Sequence, residues 1–494
     1  MVGIKAGGRQ SEGRRSLRLL PIAFLIFFVL MVGALLMPGI LTWLSLCTAL
    51  AIVAYFFLIL RFRPRRLEGG RRLPSLFSIA LLFLPFVYGA IVAVEAYEAV
   101  TSLVLIVVAV GLTLTFWSNF FATPLAIYHK IVEEREEAPF IYPFVSVIVP
   151  AYNEEEVIGR TIEPLLEVDY PNKEIIVVDD GSTDRTFEIA SRYGKAGVKV
   201  YHKENGGKFS ALNYGLKFAR GEIIVTVDAD SIVGRDALKE LVKKFKDSTV
   251  AAVCGNIKVL NRVNWLTRCQ ALEYITSINI FRRALDAFGV ITVVPGALGA
   301  FRKSVLEAGG LYDKDTVTED FDVTVKTLKA GSIVQASSHA VAYTEAPQTL
   351  RDLYRQRMRW YKGNFQTIIK HRDAFTNPRY GYLQRLGFPL ILVSMVFVPL
   401  VGVAVWASAI IAVINGAYVS VLSLLLLFIT LQCLLSLLAI EIDDEDVRLV
   451  VYAPFFVAGY KHLIDAFVIK ALFDIIMKRK VGWTRAKRVG TARG

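Results

Sequence analysis

Ile223-Ile-Val-Thr-Val-Asp-Ala-Asp-Ser231 is the stretch from which the fold can be read. β-Branched residues fill its first half and Gly221 punctuates its start, the composition of a buried strand. Two carboxylates close it. Asp228 and Asp230 stand at spacing i, i+2, which in extended backbone directs both side chains to one side, where they can share one hard cation. A divalent ion held by one or two carboxylates, its shell completed by substrate phosphates, is how magnesium-type sites meet nucleotides. Taken alone, the same pattern also suits ordinary turn and cap chemistry.

The neighbouring segments repeat the design. Val145-Ser-Val-Ile-Val149 is an apolar strand ending at Pro150, and Asn153-Glu-Glu-Glu156 fits an N-cap with Glu three residues later. Ile175-Ile-Val-Val178 is a second strand, followed by Asp179-Asp-Gly-Ser-Thr-Asp184, whose small polar residues suit a tight turn into a helix beginning near Arg185. Val198-Lys-Val200 adds a third. Strands alternating with helical segments predict right-handed βαβ crossovers and a mostly parallel sheet flanked by helices. Ligands of such sheets collect beyond the carboxyl ends of the strands. That rule selects Ala151, Tyr152, Glu154, Asp179, Asp180, Asp228 and Asp230 for one crevice. Asn205-Gly-Gly-Lys208 is a glycine turn whose backbone can approach a ligand closely and whose lysine can meet a diphosphate as a point charge. It lacks the spacing of a P-loop. Singly, Asn153–Glu155 reads as a helix start and Asp180-Gly181 as a turn; their joint placement favours a site.

The second half of the domain departs from simple alternation. Val290-Ile-Thr-Val-Val294 is apolar and β-branched and runs into a bend, Pro295-Gly-Ala-Leu-Gly299. Thr318-Glu-Asp320 then heads a helical pattern through Leu328, which puts Glu319 and Asp320 in its first turn. They serve there either as dipole stabilisers, about 0.3–1 kcal/mol per charge, or as a general base. Gln356-Arg-Met-Arg-Trp360 lies in a basic amphipathic helix, Leu350 to Lys370, of the kind that rests on a membrane surface. Gln356, Arg359 and Trp360 also share one face of one turn. On the site reading Arg359 clamps phosphate oxygens and Trp360 offers a stacking platform.

Length and composition set the surroundings. The 494 residues are 54% hydrophobic and 20% charged, with the charge gathered in the middle. Apolar runs near 19–37, 39–60, 76–94, 99–121, 387–413 and 417–440 reach the roughly 20 residues that cross a bilayer. The first is read as half of a hairpin rather than a signal peptide, because a second span follows directly after Pro38-Gly39. The net charge of +13 is concentrated beside these runs, in Arg14, Arg15 and Arg18 and again from Arg61 to Arg72. By the positive-inside bias both flanks and the middle domain are cytosolic, in a multi-pass protein of the plasma membrane. The basic residues then meet anionic headgroups, and no nucleic acid is expected. The organisation predicted is a membrane region over 1–128 with four spans, a soluble domain over 129–380 that includes an interface helix at 348–370, and a membrane region over 381–494. The last holds two spans, a basic tail, and a segment at 449–476 carrying Lys461, His462, Asp465, Lys470 and Asp474, which is a third span, a re-entrant hairpin or a channel lining. Cys47, Cys254, Cys269 and Cys433 show no paired metal spacing and read as core residues.

Four motifs in order, Asp179-Asp-Gly-Ser-Thr-Asp184, Asp228-Ala-Asp230, Thr318-Glu-Asp320 and Gln356-Arg-Met-Arg-Trp360, make residues 145–370 resemble the membrane-embedded processive glycosyltransferases of family two. The cellulose, chitin, hyaluronan and poly-N-acetylglucosamine synthases belong there. Pro295-Gly-Ala, Thr316-Val-Thr-Glu-Asp-Phe-Asp322 and Thr344-Glu-Ala-Pro-Gln-Thr-Leu350 look most like the bacterial poly-N-acetylglucosamine synthases. Four spans before the domain are more than many of these relatives have.

The resemblance implies an α/β domain of GT-A type inserted between two groups of transmembrane helices, Mg2+ or Mn2+ as cofactor, and a UDP-sugar donor, UDP-N-acetylglucosamine. It implies that Asp180, with Asp179 and Glu154, holds the uridine near Ala151 and Tyr152. Lys208, Gln356 and Arg359 would meet the diphosphate, and Asp228 and Asp230 the nucleotide and its metal. Asp320 would deprotonate the acceptor hydroxyl, with Glu319 and Trp360 at the acceptor. The expected activity is inverting transfer to the end of a β-linked polysaccharide, coupled to its translocation, with an accessory export subunit as a further partner. Transfer of one sugar to a polyprenyl phosphate or other lipid acceptor is the alternative enzyme, and a non-catalytic subunit that binds nucleotide or polymer the alternative of another class.

Overall fold

The computed structural model describes residues 122–136, 142–416 and 418–479. The predicted spans at 19–37, 39–60, 76–94 and 99–121 and the tail beyond residue 479 lie outside the described residues. The chain divides into two units. One takes the described residues up to Glu134 with Leu400–His462, and the second runs from Arg135 to Pro399 and resumes at Leu463.

The second unit is built on one eight-stranded sheet. Its strands are β1 (Val145–Ala151), β2 (Lys173–Asp179), β3 (Lys199–His202), β4 (Ile223–Thr226), β5 (Ser231–Val233), β6 (Val250–Val259), β7 (Gly299–Arg302) and β8 (Ile333–Thr344). They lie in the order β3-β2-β1-β4-β7-β6-β8-β5. β3, β2, β1 and β4 are mutually parallel, as predicted from their alternation with helices. β7 runs antiparallel to β4 and β6, and β8 parallel to β6. Every residue of β1, β4 and β6 is buried, the continuous pattern of strands covered on both faces. The covering helices are α1 (Ile158–Glu167), α2 (Thr186–Ser191), α3 (Lys208–Leu216), α4 (Ala237–Lys244), α5 (Trp265–Glu273), α6 (Ile280–Asp286), α7 (Lys303–Ala308), α8 (Glu319–Lys329) and α9 (Leu350–Lys370). Phe301 of β7 and Phe321 of α8 are each 1% exposed, burials that stabilise by roughly 1.5–3 kcal/mol apiece.

The sheet's amino edge is tied by a buried polar knot. Glu174 accepts from Ser146 Oγ (2.6 Å), Lys199 Nζ (2.7 Å) and the Arg220 amide (2.7 Å). Burial pushes its carboxyl up, but these donors outweigh it and hold the pKa at about 2.

Two local expectations are corrected. No helix starts at Asn153: α1 begins at Ile158, and Asn153 sits at φ 54°, a left-handed conformation that Asn tolerates. The side chains of the second turn account for this, because they capture the backbone of the first. Ser182 Oγ accepts from Asn153 N (2.8 Å), Thr186 Oγ1 from Glu154 N (2.7 Å) and Asp184 Oδ2 from Glu155 N (3.2 Å). Asp228 and Asp230 are not in extended backbone either. β4 stops at Thr226 and Ser231 N donates to Asp228 O (3.0 Å), so the carboxylates occupy a turn between β4 and β5. The apolar run 290–294 forms no strand; Val290 makes a single bridge to Val334, and Val294 N donates to Thr324 Oγ1 (3.0 Å).

Among the described residues one helix, Leu383–Ile414, is long and apolar enough to cross a membrane, with a hydropathy of 2.6 over its most apolar window. Tyr418–Ile442 is a further helix of 25 residues. The segment at 449–476 is broken rather than continuous. A 3-10 turn covers Val447–Tyr452, a short helix Pro454–Val457, and a longer one Tyr460–Ile476, with Gly459 at φ 126° between the helices. Its ionisable residues have partners. In the first unit Trp406 Nε1 donates to His462 Nε2 (2.5 Å), and in the second Asp474 binds Lys362 Nζ (2.8 Å), Lys470 Nζ (2.5 Å) and Arg479 Nη1 (3.3 Å).

Candidate active site

The carboxyl ends of β1 and β2 deliver Ala151 and Asp179 side by side, in register. Asp179 is fully buried. Its Oδ2 lies 2.6 Å from His202 Nδ1 and accepts from Ser182 N (3.3 Å), while its Oδ1 has no hydrogen-bond partner among the described residues. Asp180, one residue on, is spent locally: its carboxylate accepts from Lys203 Nζ (2.7 Å), Gly206 N (3.1 Å) and Gly207 N (2.7 Å), and its own amide donates to Ala151 O (2.8 Å). Asp180 therefore shapes the glycine turn, and Asp179 keeps the open acceptor. Tyr152 and Glu154 are half-buried in the loop that follows β1.

The shaped turn launches α3, whose first residue is Lys208. Lys208 Nζ lies 2.6 Å from Asp228 Oδ1 and 3.0 Å from Glu319 Oε1. One ammonium thus joins three motifs that are far apart in sequence. Burial opposes its charge, yet Asp228 above all, then Glu319 and Asp320, raise its pKa beyond that of an ordinary lysine. Asp230, at the far side of the turn, is buried at 7% exposure. Thr161 Oγ1 of α1 pins this turn by donating to Ala229 O (2.7 Å).

The bend after Val294 closes over the ion pair. A Cβ on Gly296 would lie 3.1 Å from Asp228 Oδ1 and closer still to Lys208 Nζ, so a side chain here would push the tips of the ion pair aside. Asp320 and Glu319 are in the first turn of α8, as predicted. Burial first, then the neighbouring Glu319, push the Asp320 carboxyl up to about 6, against the opposing pull of Lys208. Glu319 is engaged by Lys208, on the side of the Asp228 turn.

On α9, Gln356 and Arg357 are buried and Arg359 and Trp360 half-buried. Arg357 Nη2 donates to Glu273 Oε2 (2.6 Å), and its guanidinium stacks on the Trp360 ring at 4.6 Å. Three residues here had no signal as site members. Gly296 was visible only as a bend, Arg357 as one charge in a basic helix, and Tyr312 lies in no motif. Tyr312 is 4% exposed, its backbone clamped by Asn213 (2.8 and 3.0 Å), and its hydroxyl has no hydrogen-bond partner among the described residues. Burial first and then Glu319 raise its pKa.

The oxygen donors that Asp228 and Asp230 carry are of the type a hard divalent cation takes; among the described residues no group of three or more His, Cys, Asp or Glu forms a closed metal site. Two carboxylates without further protein ligands suit a Mg2+- or Mn2+-type ion completed by substrate oxygens better than a structural metal.

Residues 146–310 match the family model described as Glycosyl transferase family 2. The poly-beta-1,6-N-acetyl-D-glucosamine synthase of Staphylococcus aureus (strain COL) is 33% identical over 235 residues, 47% of this chain and 57% of that protein. The synthase of Staphylococcus epidermidis is 33% identical over 229 residues, 46% of this chain and 56% of that protein. The chain thus spans little more than half the length of these relatives. Among solved structures, the mannosyltransferase PcManGT from Pyrobaculum calidifontis, in complex with GDP-Man and Mn2+, aligns with a TM-score of 0.54 at 22% identity, over 76% of this chain and 100% of that one. That likeness is one of fold. Residues 146–310 therefore match the family 2 glycosyl transferases, in a fold similar to that of a solved glycosyltransferase, and the chain is similar to the poly-β-1,6-N-acetyl-D-glucosamine synthases over about half its length.

Proposed function

We propose that this chain transfers N-acetylglucosamine from UDP-N-acetylglucosamine to the end of a growing β-linked polysaccharide, inverting the anomeric carbon. The observation that supports this reading is the convergence of Lys208, Asp228, Glu319 and Asp320, which sets a strong cation beside a carboxylate of raised pKa.

In the proposed step the Asp320 carboxylate takes the proton of the acceptor hydroxyl. That oxygen forms its bond to the donor's anomeric carbon as the bond from this carbon to the diphosphate breaks, and the electron pair leaves on UDP. One base and one displacement suffice for inversion. Lys208 lowers the energy of the departing diphosphate, and Gln356 and Arg359 close on the same group. Asp228 and Asp230 would hold Mg2+ or Mn2+, which when bound supplies further positive charge there. Asp179 Oδ1 meets the uracil, with Ala151, Tyr152 and Glu154 around the uridine and Asp180 holding the glycine turn. Glu319 keeps Lys208 in place, and Trp360, backed by Arg357, carries the acceptor sugar.

We place this domain, residues 129–380, on the cytosolic side of the plasma membrane, with 1–128 and 381–494 as the membrane regions. The apolar helix Leu383–Ile414 and the apolar runs of the sequence support that placement. Coupled translocation, with or without an export subunit, belongs to the same proposal.

The test incubates the full chain in lipid with Mg2+ or Mn2+ and each of several UDP-sugars, beside Asp320→Asn, and sizes the products. A polymer from UDP-N-acetylglucosamine that the variant does not make supports the reading. A single lipid-linked sugar replaces it with the lipid-acceptor enzyme, and UDP binding without any transfer replaces it with a binding subunit.

A further inference from the structure

Between the proposed base and the proposed acceptor platform lies a buried cluster of hydroxyls that the mechanism does not use. Thr316, Thr318 and Thr367 are 6%, 7% and 0% exposed. Thr316 Oγ1 lies 3.1 Å from both Thr318 Oγ1 and Thr367 Oγ1, donates to Gly363 O (3.2 Å) and accepts from Thr318 N (3.1 Å). Thr318 Oγ1 reaches Thr367 Oγ1 at 3.4 Å. The cluster closes onto α9 where that helix has no side chain. A Cβ on Gly363 would lie 2.6 Å from Thr318 Cγ2 and 2.7 Å from Thr318 Oγ1. Thr318 stands at the N-cap of α8 yet makes no side-chain cap bond to it. Its hydroxyl faces the other helix.

The spacing gives the cluster its meaning. Asp320 follows Thr318 by two residues, in the first turn of α8. Trp360 precedes Gly363 by one turn and Thr367 by two, on the same face of α9. Asp320 on α8 and Trp360 on α9 therefore each lie within about a turn of a residue of the cluster along their own helices. Other contacts make α8 rigid around it. Thr324 Oγ1 donates to Asp320 O (2.6 Å) and accepts from Val294 N (3.0 Å), joining α8 to the bend that carries Gly296. The fully buried Asp322 bonds His371 Nε2 (2.9 Å) and Lys370 Nζ (2.9 Å) at the far end of α9.

We propose that the Thr316, Thr318 and Thr367 hydroxyls, seated on Gly363, are positioning residues that set the distance between Asp320 and Trp360, and so decide whether the activated sugar passes to the acceptor or to water. This inference rests on the function proposed above. The ends of β1 and β2, where the proposed function seats the uridine, contribute no residue to the cluster, so the nucleoside contacts are expected to survive its loss. A shift on the order of 1 Å between reacting groups costs about 10²-fold in rate.

The experiment compares the full chain with Thr367→Val, which keeps the shape and removes the hydroxyl, and Thr367→Ser, which keeps the hydroxyl. UDP affinity, transfer to acceptor and release of free N-acetylglucosamine by hydrolysis are measured on each. Thr367→Val is expected to bind UDP within about twofold of the parent, to lose transfer on the order of 10²-fold and to retain hydrolysis, and Thr367→Ser to restore transfer. Gly363→Ala, which pushes the same contact apart from the helix side, is expected to shift the partition in the same direction. Unchanged partition in both Thr367→Val and Gly363→Ala overturns the positioning role alone, as does a fall in UDP affinity that parallels the fall in transfer. A parent chain that binds UDP and transfers nothing overturns the transferase reading and this inference with it.

Discussion

Lys208 and Asp228, 20 positions apart in sequence, form an ion pair of 2.6 Å beneath the backbone of Gly296. The pair ties the glycine turn that Asp180 shapes to the carboxylate turn that ends β4. Because Glu319 shares the same ammonium at 3.0 Å, the helix bearing Asp320 is registered on it as well.

Removing the ammonium leaves Asp228 and Glu319 as mutually repelling carboxylates and, on the proposed function, takes a cation from the leaving group. Lys208→Met is expected to lower kcat on the order of 10²–10³-fold. Initial rates at saturating donor measure this; a variant within threefold of the parent would place the diphosphate elsewhere.

Gly296→Ala tests the same pair without touching charge. The added methyl meets both members, so either the bend or the pair must move, and transfer is expected to fall on the order of 10²-fold. Thermal unfolding of the variant separates this from a general loss of structure, since Gly296 lies in a bend and the expected change there is small.

On the proposed function Asp320 joins activity to pH. A base with a pKa of about 6 is deprotonated above that value and protonated below it. The rate is therefore expected to be level above pH 7 and to fall about tenfold per unit below pH 6. The profile of kcat/KM between pH 5 and 8 checks the sign, and an acid limb centred near 4 would rule out a base of raised pKa.

The same residue carries a stability cost. Its folded pKa, about 6, is raised from an ordinary 3.8, so holding the ionised form costs the native state stability when pH exceeds both values. Asp320→Asn is expected to be inactive yet more stable than the parent at pH 7. The gain should shrink as pH falls through 6 and vanish below about 3.8, where the parent's carboxyl is protonated in both states. Tm differences measured at pH 7, 5 and 4 follow this course or contradict it.

Glu174 behaves in the opposite sense, since its folded pKa is depressed to about 2. Its stabilisation is present above the ordinary carboxyl range and is lost as pH falls toward 2. Glu174→Gln leaves donors of Lys199 and Arg220 without their charge partner and is expected to cost about 1–3 kcal/mol at pH 7. Because the knot lies at the sheet edge opposite the site, kcat of the folded variant should not change.

Much of this protein was legible in order. Runs of β-branched residues marked β1, β2 and β4, since a strand covered on both faces needs apolar side chains on every position, and burial of that kind is a property of composition. Their alternation with helical segments then implied parallel strands and a crevice at the carboxyl ends. Local capping was read less well. Asn153-Glu-Glu-Glu156 has the residues of a helix start, but its amides are captured by Ser182, Asp184 and Thr186, about 30 positions on, and no local pattern records a competitor that distant.

By itself the sequence determined the kinds of chemistry present: carboxylates at strand ends, a lysine on a glycine turn, an acidic first helical turn and a Gln-x-x-Arg-Trp face, along with the apolar runs that flank them. Only the tertiary structure decided how these share work. It set Asp180 to hold a loop and left Asp179 Oδ1 open, drew Glu319 to Lys208, put Arg357 behind Trp360, and brought Gly296 and Gly363 to contacts that a single methyl would break. Residue type fixes charge and hydrogen-bonding capacity within one residue, whereas distance between groups from different elements exists only after the sheet has packed.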